Sequence, residues 1–268
     1  MLERDEITRA NETAWDRVAE KYQLEVERDV ATLRAGQVTL HAHEVRLLGD
    51  LSGCQRAIHL QCSHGQDALS LLNLGVREVV GVDISREALA VAAQKTAQLD
   101  AAAAWVCADV LAVPETFDGQ ADLVYTGQGA LNWVFDLERW AGVIARLLRP
   151  GGRFFIYEGH PLNWVWQEEA TSHVPGRNGY FAAQARPNEG FPASAIARFT
   201  PAGETVPTAW ERNWTMGQIV SALAGAGLLI ERLEEYPEHF WPQFPNISEP
   251  EMGLLPHSFS LLARRTRG

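Results

Sequence analysis

The sequence predicts an α/β protein with a doubly wound, mostly parallel seven-stranded sheet whose last strand is antiparallel. Between residues 56 and 160, short apolar runs alternate with longer segments of helical spacing, and the connections between them are short. This alternation is typical of parallel strands linked by crossover helices. The final two apolar runs are joined instead by a long, Pro-rich segment at 237–257. We therefore expect the last two strands to be antiparallel neighbours.

Two helical segments precede the predicted sheet. Apolar residues recur at helical spacing over 5–35, which predicts one long helix there. A second, shorter helix is expected over 39–50, ending near Gly49. Residues 1–50 would thus form an N-terminal helical cover.

The α/β core is predicted over residues 51–160. Gly75 and Pro150 each lie just past a predicted helix, where such residues commonly end one. The five strands of this core are predicted at residues 57–61, 79–82, 104–108, 121–125 and 153–158. The helices between them are predicted at residues 67–74, 87–99 and 137–148.

The regular alternation ends after the fifth strand. Residues 161–213 are rich in Pro, Gly and aromatic residues and show no clear period, so we interpret them as a substrate-covering insertion. Residues 214–268 would complete the core with a helix over 215–226 and strands over 228–236 and 258–264. We expect all these parts to form one compact domain.

The composition of the 268-residue chain disfavours several classes of protein. With 46% hydrophobic and 21% charged residues, the chain is expected to fold rather than to be disordered. Its formal net charge of −11 disfavours nucleic acid or an anionic membrane surface as partner. No apolar run reaches the ~20 residues of a membrane span, and the charged N-terminus lacks the apolar core of a signal peptide. We therefore expect a cytoplasmic protein.

Ligands of doubly wound sheets bind at the carboxyl ends of the strands, so the residues there are the first functional candidates. The first strand leads into the loop Gln61-Cys62-Ser63-His64-Gly65, whose glycine would let the backbone approach a ligand closely. A dinucleotide site would need G-x-G-x-x-G, and this loop has one glycine. A tight turn without a ligand is the alternative interpretation.

Two aspartates follow the next two strands. Asp83 lies 18 residues after the loop glycine (83 − 65), where a carboxylate suits the two hydroxyls of a ribose. The alternative is a helix cap, although Ser85 could cap the helix unaided. Asp109 could accept from the exocyclic amine of a purine, with Ile84 and Val110 against the ring. The alternative for Asp109 is a surface turn.

Taken in order, these motifs resemble those of the class I S-adenosylmethionine-dependent methyltransferases. The matching segments are LQCSHGQD (60–67), VGVDIS (80–85), ADV (108–110), ADLVY (121–125) and LLRPGGRF (147–154). Together with Glu158-Gly159-His160-Pro161, the first loop resembles a bacterial subgroup of unassigned substrate. The resemblance implies a Rossmann-like methyltransferase fold and S-adenosylmethionine as the cofactor. The implied reaction is methyl transfer to oxygen, nitrogen or sulfur of a small-molecule acceptor.

The resemblance also implies a role for individual residues. The first loop would face the methionine part of the cofactor, and Asp83 and Asp109 its ribose and adenine. The full implied set is Gln61, Cys62, Ser63, Gly65, Asp83, Ile84, Asp109 and Val110, with Thr126 and Gly127 beneath the sulfonium and Tyr22 and Trp133 as aromatic faces. Core packing is the alternative for the two aromatic residues. The family usually has an acidic residue where this chain has Gln61, so the cofactor's amine must be held by backbone carbonyls or elsewhere.

Methyl transfer mainly requires that the nucleophile be held in line with the methyl group and that water be excluded. A base is needed only for a protonated acceptor. Glu158 and His160 follow the fifth strand and are the predicted catalytic residues, with His64 as an alternative. His160 could instead hydrogen-bond a turn. The three cysteines form no CxxC pair and the histidines are scattered, so we assign no metal.

Two other functions stay open at this point. The first is a nicotinamide-dependent oxidoreductase on a Rossmann-like core, which the missing glycines disfavour. The second is a non-catalytic protein that binds S-adenosylmethionine. The sequence does not predict the oligomeric state or the identity of the acceptor.

Overall fold

A seven-stranded sheet forms the centre of the computed structural model, which describes residues 3–267 except 183, 189, 192, 198–199, 201–204, 240 and 242. Its strand order is β3-β2-β1-β4-β5-β9-β8, and β9 runs antiparallel to both of its neighbours. The strands are β1 (Arg56–Leu60), β2 (Glu78–Asp83), β3 (Ala103–Cys107), β4 (Ala121–Gly127), β5 (Leu148–Gly159), β8 (Leu228–Tyr236) and β9 (Ser258–Arg265). The predicted fold class is therefore confirmed, including the antiparallel pairing of the last two strands.

Helices cover both faces of the sheet. Along β1, Ile58 and Leu60 face one helical layer, and Ala57 faces the other. This alternation follows from the two-residue period of a strand. The core and C-terminal helices are α4 (Gln66–Asn73), α5 (Arg86–Leu99), α6 (Leu137–Leu147), α8 (Met216–Gly225) and the short α9 (Glu249–Met252). Trp140 of α6 is fully buried against Phe154 of β5.

The N-terminal cover differs from its prediction. The expected single helix over 5–35 is two helices, α1 (Arg4–Gln23) and α2 (Val26–Arg34), and α3 (Ala42–Leu48) follows. The chain bends at Leu24, whose side chain is 68% exposed. Both α1 and α2 pack on α5, because the bend lets each of them turn its own apolar side inward.

The insertion forms a small sheet of its own. Here β6 (Arg186–Pro187) pairs antiparallel with β7 (Trp210–Glu211), and the short α7 (Ala193–Ile196) lies between them in the chain. Asn11 of α1 exchanges two hydrogen bonds with the backbone of Trp210: its Nδ2 donates to the Trp210 carbonyl at 2.9 Å, and its Oδ1 accepts from the Trp210 N–H at 2.6 Å. The described residues contain no helix with the length and apolar character needed to cross a bilayer.

Candidate active site

A cavity of 260 Å³ lies at the carboxyl ends of β1, β2 and β4. This is the edge at which a doubly wound sheet binds its ligands. Its wall includes ten of the twelve predicted cofactor residues: Tyr22, Gln61, Cys62, Ser63, Asp83, Ile84, Asp109, Val110, Gly127 and Trp133. His64 also lines it. The remaining predicted residues, Gly65 and Thr126 for the cofactor and Glu158 and His160 for catalysis, are absent from this wall.

The loop after β1 is held in an unusual backbone conformation. Gln61 and Ser63 have φ angles of 57° and 49°, in the left-handed region. The Ser63 N–H donates to Asp83 Oδ2 at 2.7 Å, and the Cys62 N–H donates to the Val82 carbonyl at 3.0 Å. The loop is thus fixed to the end of β2, and its side chains are directed by that attachment.

Packing constrains Gly65. Its φ is 75°, and a Cβ at this position would lie 2.5 Å from the Trp105 ring and 2.7 Å from the Ala92 Cβ. The glycine therefore lets α4 begin close against β3 and α5, and its contact with the cofactor stays a prediction.

Asp83 lines the cavity with a carboxylate that is only 8% exposed. Oδ2 accepts from Ser63 as described, and Oδ1 accepts from the Ser85 N–H at 2.9 Å. Burial raises the pKa of Asp83 to about 6. The alternative role as a helix cap is wrong, because the Ser85 hydroxyl caps α5 by accepting from the Ala88 N–H at 3.0 Å. Each Asp83 oxygen retains a lone pair for a ligand hydroxyl.

Asp109 lies on the same wall after β3. Its Oδ1 accepts from the Leu111 N–H at 2.8 Å and so begins the 3-10 turn at Val110–Ala112. Its other oxygen makes no hydrogen bond within the described residues. Ile84 and Val110 supply the apolar part of this end of the cavity.

The end of β4 separates the two residues predicted to lie beneath the sulfonium. The Thr126 hydroxyl is fully buried and donates to the Leu60 carbonyl at 2.9 Å, so it ties β4 to β1 away from the cavity. Gly127 does line the cavity. A side chain at Gly127 would meet the Tyr157 carbonyl oxygen at 2.0 Å, so this position accepts no other residue without rearrangement.

Aromatic side chains close the cavity from the cover. The Tyr22 ring stacks on the His64 ring with centroids 3.8 Å apart and an angle of 4° between their planes. Trp15 contacts Trp133 edge-on at 5.4 Å, and both contact Phe191 of the insertion, at 4.6 and 5.2 Å. Burial raises the pKa of Tyr22 to about 12, so its hydroxyl stays protonated.

The predicted catalytic pair lies outside the cavity, which corrects the expectation that Glu158 and His160 border it. The Glu158 carboxylate is 2% exposed and accepts from the N–H groups of Gly129, Ala130, Leu131 and Gly159 at 2.6–3.1 Å. His160 Nδ1 accepts from the Leu162 N–H at 3.2 Å, and Nε2 bonds Glu235 Oε1 at 2.8 Å. Glu158 thus fixes the backbone after β4, and His160 joins the turn after β5 to Glu235 of β8.

His64 belongs to a buried charged cluster behind the loop. Burial lowers its pKa to about 3, and its two ring nitrogens lie 3.3 Å from Ser63 Oγ and 3.2 Å from Gln66 Oε1. Glu25, Asp29 and His64 each offer an atom within 4.8 Å of the others. The Asp29 carboxylate already has a cation, since Lys95 Nζ donates to it at 2.7 Å. Lys95 also donates to the His64 carbonyl at 3.2 Å and so supports the loop.

Sequence reasoning missed several residues of the wall. They come from the cover, the middle of β1 and the segments after β1, β3 and β4: Thr8, Asn11, His59, Gln66, Asp67, Ala108, Gln128, Gly129 and Phe135 are examples. Burial lowers the pKa of His59 to about 3, and its Nδ1 has no partner among the described residues. Gln128 has a φ of 56°, and its Nε2 donates to the buried Glu44 at 3.2 Å.

A second cavity of 710 Å³ adjoins the first. The two share four wall residues, namely Trp15, Gln128, Gly129 and Trp133. The insertion supplies much of the remaining wall, which holds the indoles of Trp164 and Trp166 and the guanidinium groups of Arg177 and Arg186. Arg186 is paired with Glu211 at 2.6 Å, whereas Arg177 has no partner within the described part of the chain.

Part of the sequence and the fold as a whole are similar to those of known methyltransferases. Residues 58–156, from β1 to β5, match the family model described as a methyltransferase domain. No curated protein matches the chain. Among solved structures, an S-adenosylmethionine-dependent methyltransferase from Mesorhizobium loti is 23% identical with a TM-score of 0.59, over 82% of this chain and 94% of that one.

Two further structures share the fold. A Listeria monocytogenes protein assigned to the S-adenosylmethionine-dependent methyltransferases is 17% identical, with a TM-score of 0.63 over 84% of this chain and 97% of that one. The geranyl diphosphate C-methyltransferase of Streptomyces coelicolor A3(2), solved with S-adenosylhomocysteine, is 16% identical, with a TM-score of 0.53 over 85% and 77% of the two chains.

Proposed function

We propose that this chain, in which residues 58–156 form a methyltransferase domain, transfers the methyl group of S-adenosylmethionine to oxygen, nitrogen or sulfur of a small molecule. The observation that carries the proposal is the pair of adjoining cavities. One lies at the strand ends, where a nucleoside cofactor is expected, and the other is enclosed largely by the insertion. Their shared wall is where a methyl group would pass from one ligand to the other.

The first cavity has the polar groups that the nucleoside part of this cofactor needs. Asp83 offers two carboxylate oxygens to the ribose hydroxyls, and Asp109 offers one oxygen to the adenine amine. Ile84 and Val110 would contact the faces of the ring. The methionine part has a matching acceptor in Gln61, whose buried Oε1 has no hydrogen-bond partner within the described residues.

When bound, S-adenosylmethionine supplies a methyl group on a positively charged sulfur, which needs no further activation. The rings of Trp15 and Trp133 can face this charge, and aromatic faces attract cations. Tyr22 and His64 close the cavity beside them and reduce the access of water. The chain thus acts mainly by holding and shielding its two ligands.

The shared wall bears no side chain that could take a proton at neutral pH. Trp15, Gln128, Gly129 and Trp133 form it, and none of these side chains is a base. Glu158 and His160 are engaged elsewhere, as described above. We therefore propose that transfer proceeds by positioning, with an acceptor that needs no base from this wall.

The second cavity supports a small organic acceptor with an apolar body. Its indole side chains offer flat apolar surfaces, and amide side chains such as Asn163 and Gln243 offer hydrogen bonds. The Arg177 guanidinium is available for an acidic group on that acceptor. The Streptomyces coelicolor A3(2) geranyl diphosphate C-methyltransferase has also been solved in complex with geranyl diphosphate, which is likewise a small molecule with an acidic end.

Calorimetry with S-adenosylhomocysteine and with NADH tests the proposed cofactor. We expect the first compound to bind and the second to leave the protein unchanged. Binding of NADH without S-adenosylhomocysteine would establish the oxidoreductase alternative and end this proposal. The missing glycines of the first loop favour the expected result, because a pyrophosphate packs against bare backbone.

Tritium-labelled S-adenosylmethionine tests catalysis. Incubated with fractionated small-molecule extracts, the protein should transfer label to a product, and Asp83→Ala, which lacks the carboxylate proposed to hold the ribose, should transfer far less. If the cofactor binds and no fraction ever gains label, the protein is the non-catalytic alternative. Unchanged transfer of label by Asp83→Ala would show that the cofactor is not held in this cavity as proposed.

A further inference from the structure

Asp67, in the first turn of α4, presents one free carboxylate oxygen at the wall of the first cavity. Its Oδ1 accepts from the Thr39 hydroxyl at 2.6 Å, and Thr39 is held in turn by Ser70, whose Oγ accepts from the Thr39 N–H at 3.0 Å. Oδ2 accepts no hydrogen bond from any residue that the structure describes. The carboxylate is therefore fixed in orientation and still half unsatisfied.

No cation is bonded to this carboxylate within the described residues. The charges of His41 and Lys95 act to lower the pKa of Asp67, and the charge of Asp29 acts to raise it. Lys95 is already engaged with Asp29. Burial raises the pKa of Asp67, as expected for an acidic group that lacks a counter-ion in the absence of a ligand.

Gln61 places a second acceptor on the same wall. Its Nε2 donates to the Ala130 carbonyl at 2.8 Å, which fixes the amide, and its Oε1 is buried without a partner. A buried acceptor without a donor costs free energy unless a ligand supplies one. Two acceptor oxygens, one of them charged, thus line one cavity, and the group that satisfies both is a cationic donor.

We infer that the Asp67 carboxylate, assisted by Gln61 Oε1, binds the α-ammonium group of S-adenosylmethionine. This inference rests on the function proposed above and assigns the cofactor's positive amine to a helix residue, six positions after the neutral Gln61. An ammonium group has three N–H donors and can satisfy both oxygens at once. The first loop therefore needs no acidic residue of its own.

Calorimetry with two ligands distinguishes binding of the ammonium group by Asp67 from a purely structural role of this residue. S-adenosylhomocysteine carries the ammonium group, whereas 5′-methylthioadenosine carries the same nucleoside without the amino-acid part. Asp67→Asn keeps the shape of the side chain and removes its charge. We expect this variant to bind S-adenosylhomocysteine about 10- to 100-fold more weakly, the range for a hydrogen bond to a charged group, and to bind 5′-methylthioadenosine as the native protein does.

Two controls accompany this measurement. Asp100→Asn removes an exposed carboxylate at the end of α5 and should leave both affinities unchanged. S-adenosylhomocysteine acetylated on its α-amine, tested on the native protein, should bind more weakly than the free amine. The acetylated ligand requires no variant, so the inference stays testable if Asp67→Asn fails to fold.

The outcomes are distinct. Unchanged affinity of Asp67→Asn for S-adenosylhomocysteine would overturn the inference, and so would an equal loss for both ligands, which would show that Asp67 only supports the loop. Equal binding of free and acetylated amine by the native protein would overturn it too. If the native protein binds neither ligand, the proposed function itself has failed.

Discussion

The hydroxyl of Tyr125 donates a 2.6 Å hydrogen bond to Oε1 of Glu44, a carboxyl group that is fully buried. The other oxygen of Glu44 accepts from the His41 N–H at 2.7 Å and from Gln128 Nε2. The network therefore joins α3 to the end of β4 and orients Gln128 at the shared wall. A buried acid in this place affects both stability and site geometry.

Glu44 predicts a pH dependence of stability. Burial raises its pKa from 4.5 to about 8. Between these values the folded protein holds a proton that the unfolded chain has released, so the stability due to Glu44 is complete below pH 4.5 and declines as the pH rises towards 8. We expect the free energy of unfolding of the native protein, relative to Glu44→Gln, to fall over this range. Urea titrations from about pH 5 to about pH 8 measure it.

The urea titrations of the native protein and Glu44→Gln have a simple control. Glu138→Gln changes an exposed acid on α6 and should follow the native protein at every pH. A constant difference between native protein and Glu44→Gln across the range would show that Glu44 keeps an ordinary pKa in the folded state.

Asp83→Ala is expected to weaken the binding of S-adenosylhomocysteine and of 5′-methylthioadenosine together, by at least about 100-fold, because both ligands contain the ribose and a hydrogen bond to a charged group is worth ~1.5–3 kcal/mol. This pattern differs from that expected for Asp67→Asn. Calorimetry measures it, with the exposed Asp118→Ala as the matched control. Retained affinity for 5′-methylthioadenosine would remove Asp83 from the ribose site.

Glu158→Gln should lower the free energy of unfolding without abolishing the binding of S-adenosylhomocysteine. The substitution turns one acceptor oxygen into a donor opposite backbone N–H groups, which leaves buried donors unsatisfied at a cost of about 1–3 kcal/mol. Urea unfolding gives the loss, and calorimetry on the folded variant should give a near-native affinity for S-adenosylhomocysteine. A stable variant with lost turnover would instead restore Glu158 as a catalytic residue.

Tyr22→Leu removes the ring that stacks on His64. Aromatic pairs are worth about 0.5–1.5 kcal/mol beyond burial, so we expect about two- to tenfold weaker binding of S-adenosylhomocysteine. Tyr22→Phe keeps the ring and serves as the control with near-native affinity. Equal losses in the two variants would assign the effect to the hydroxyl and not to the stack.

The sheet and much of the cofactor wall could be predicted because they depend on local pattern. Alternating apolar runs fix the strand ends, and Asp83 and Asp109 follow those ends directly. Residues 58–156 match the model of a methyltransferase domain and the fold is shared with solved methyltransferases, while the residue roles stay predictions. Thr126 could have been excluded, because strand side chains alternate and its neighbour Gly127 lines the cavity.

Partners distant in sequence cannot be predicted from local pattern. The Glu158 carboxylate accepts hydrogen bonds from the N–H groups that begin at Gly129, and His160 bonds Glu235, 75 residues later in the chain. Asp67 was passed over because an acidic residue at the start of a helix is ordinary. Its free oxygen becomes visible only when Thr39 is found to bind the other one.

The paired hydrogen bonds between Asn11 and Trp210 have a consequence for turnover. Helix α1 carries Trp15 and Tyr22 at the wall of the first cavity. Through Asn11 it is bonded to β7, whose Glu211 lines the second cavity. An opening movement of that helix must therefore pull on the insertion or break both bonds. Under the proposed function, departure of the demethylated cofactor and release of the methylated product would therefore be mechanically linked.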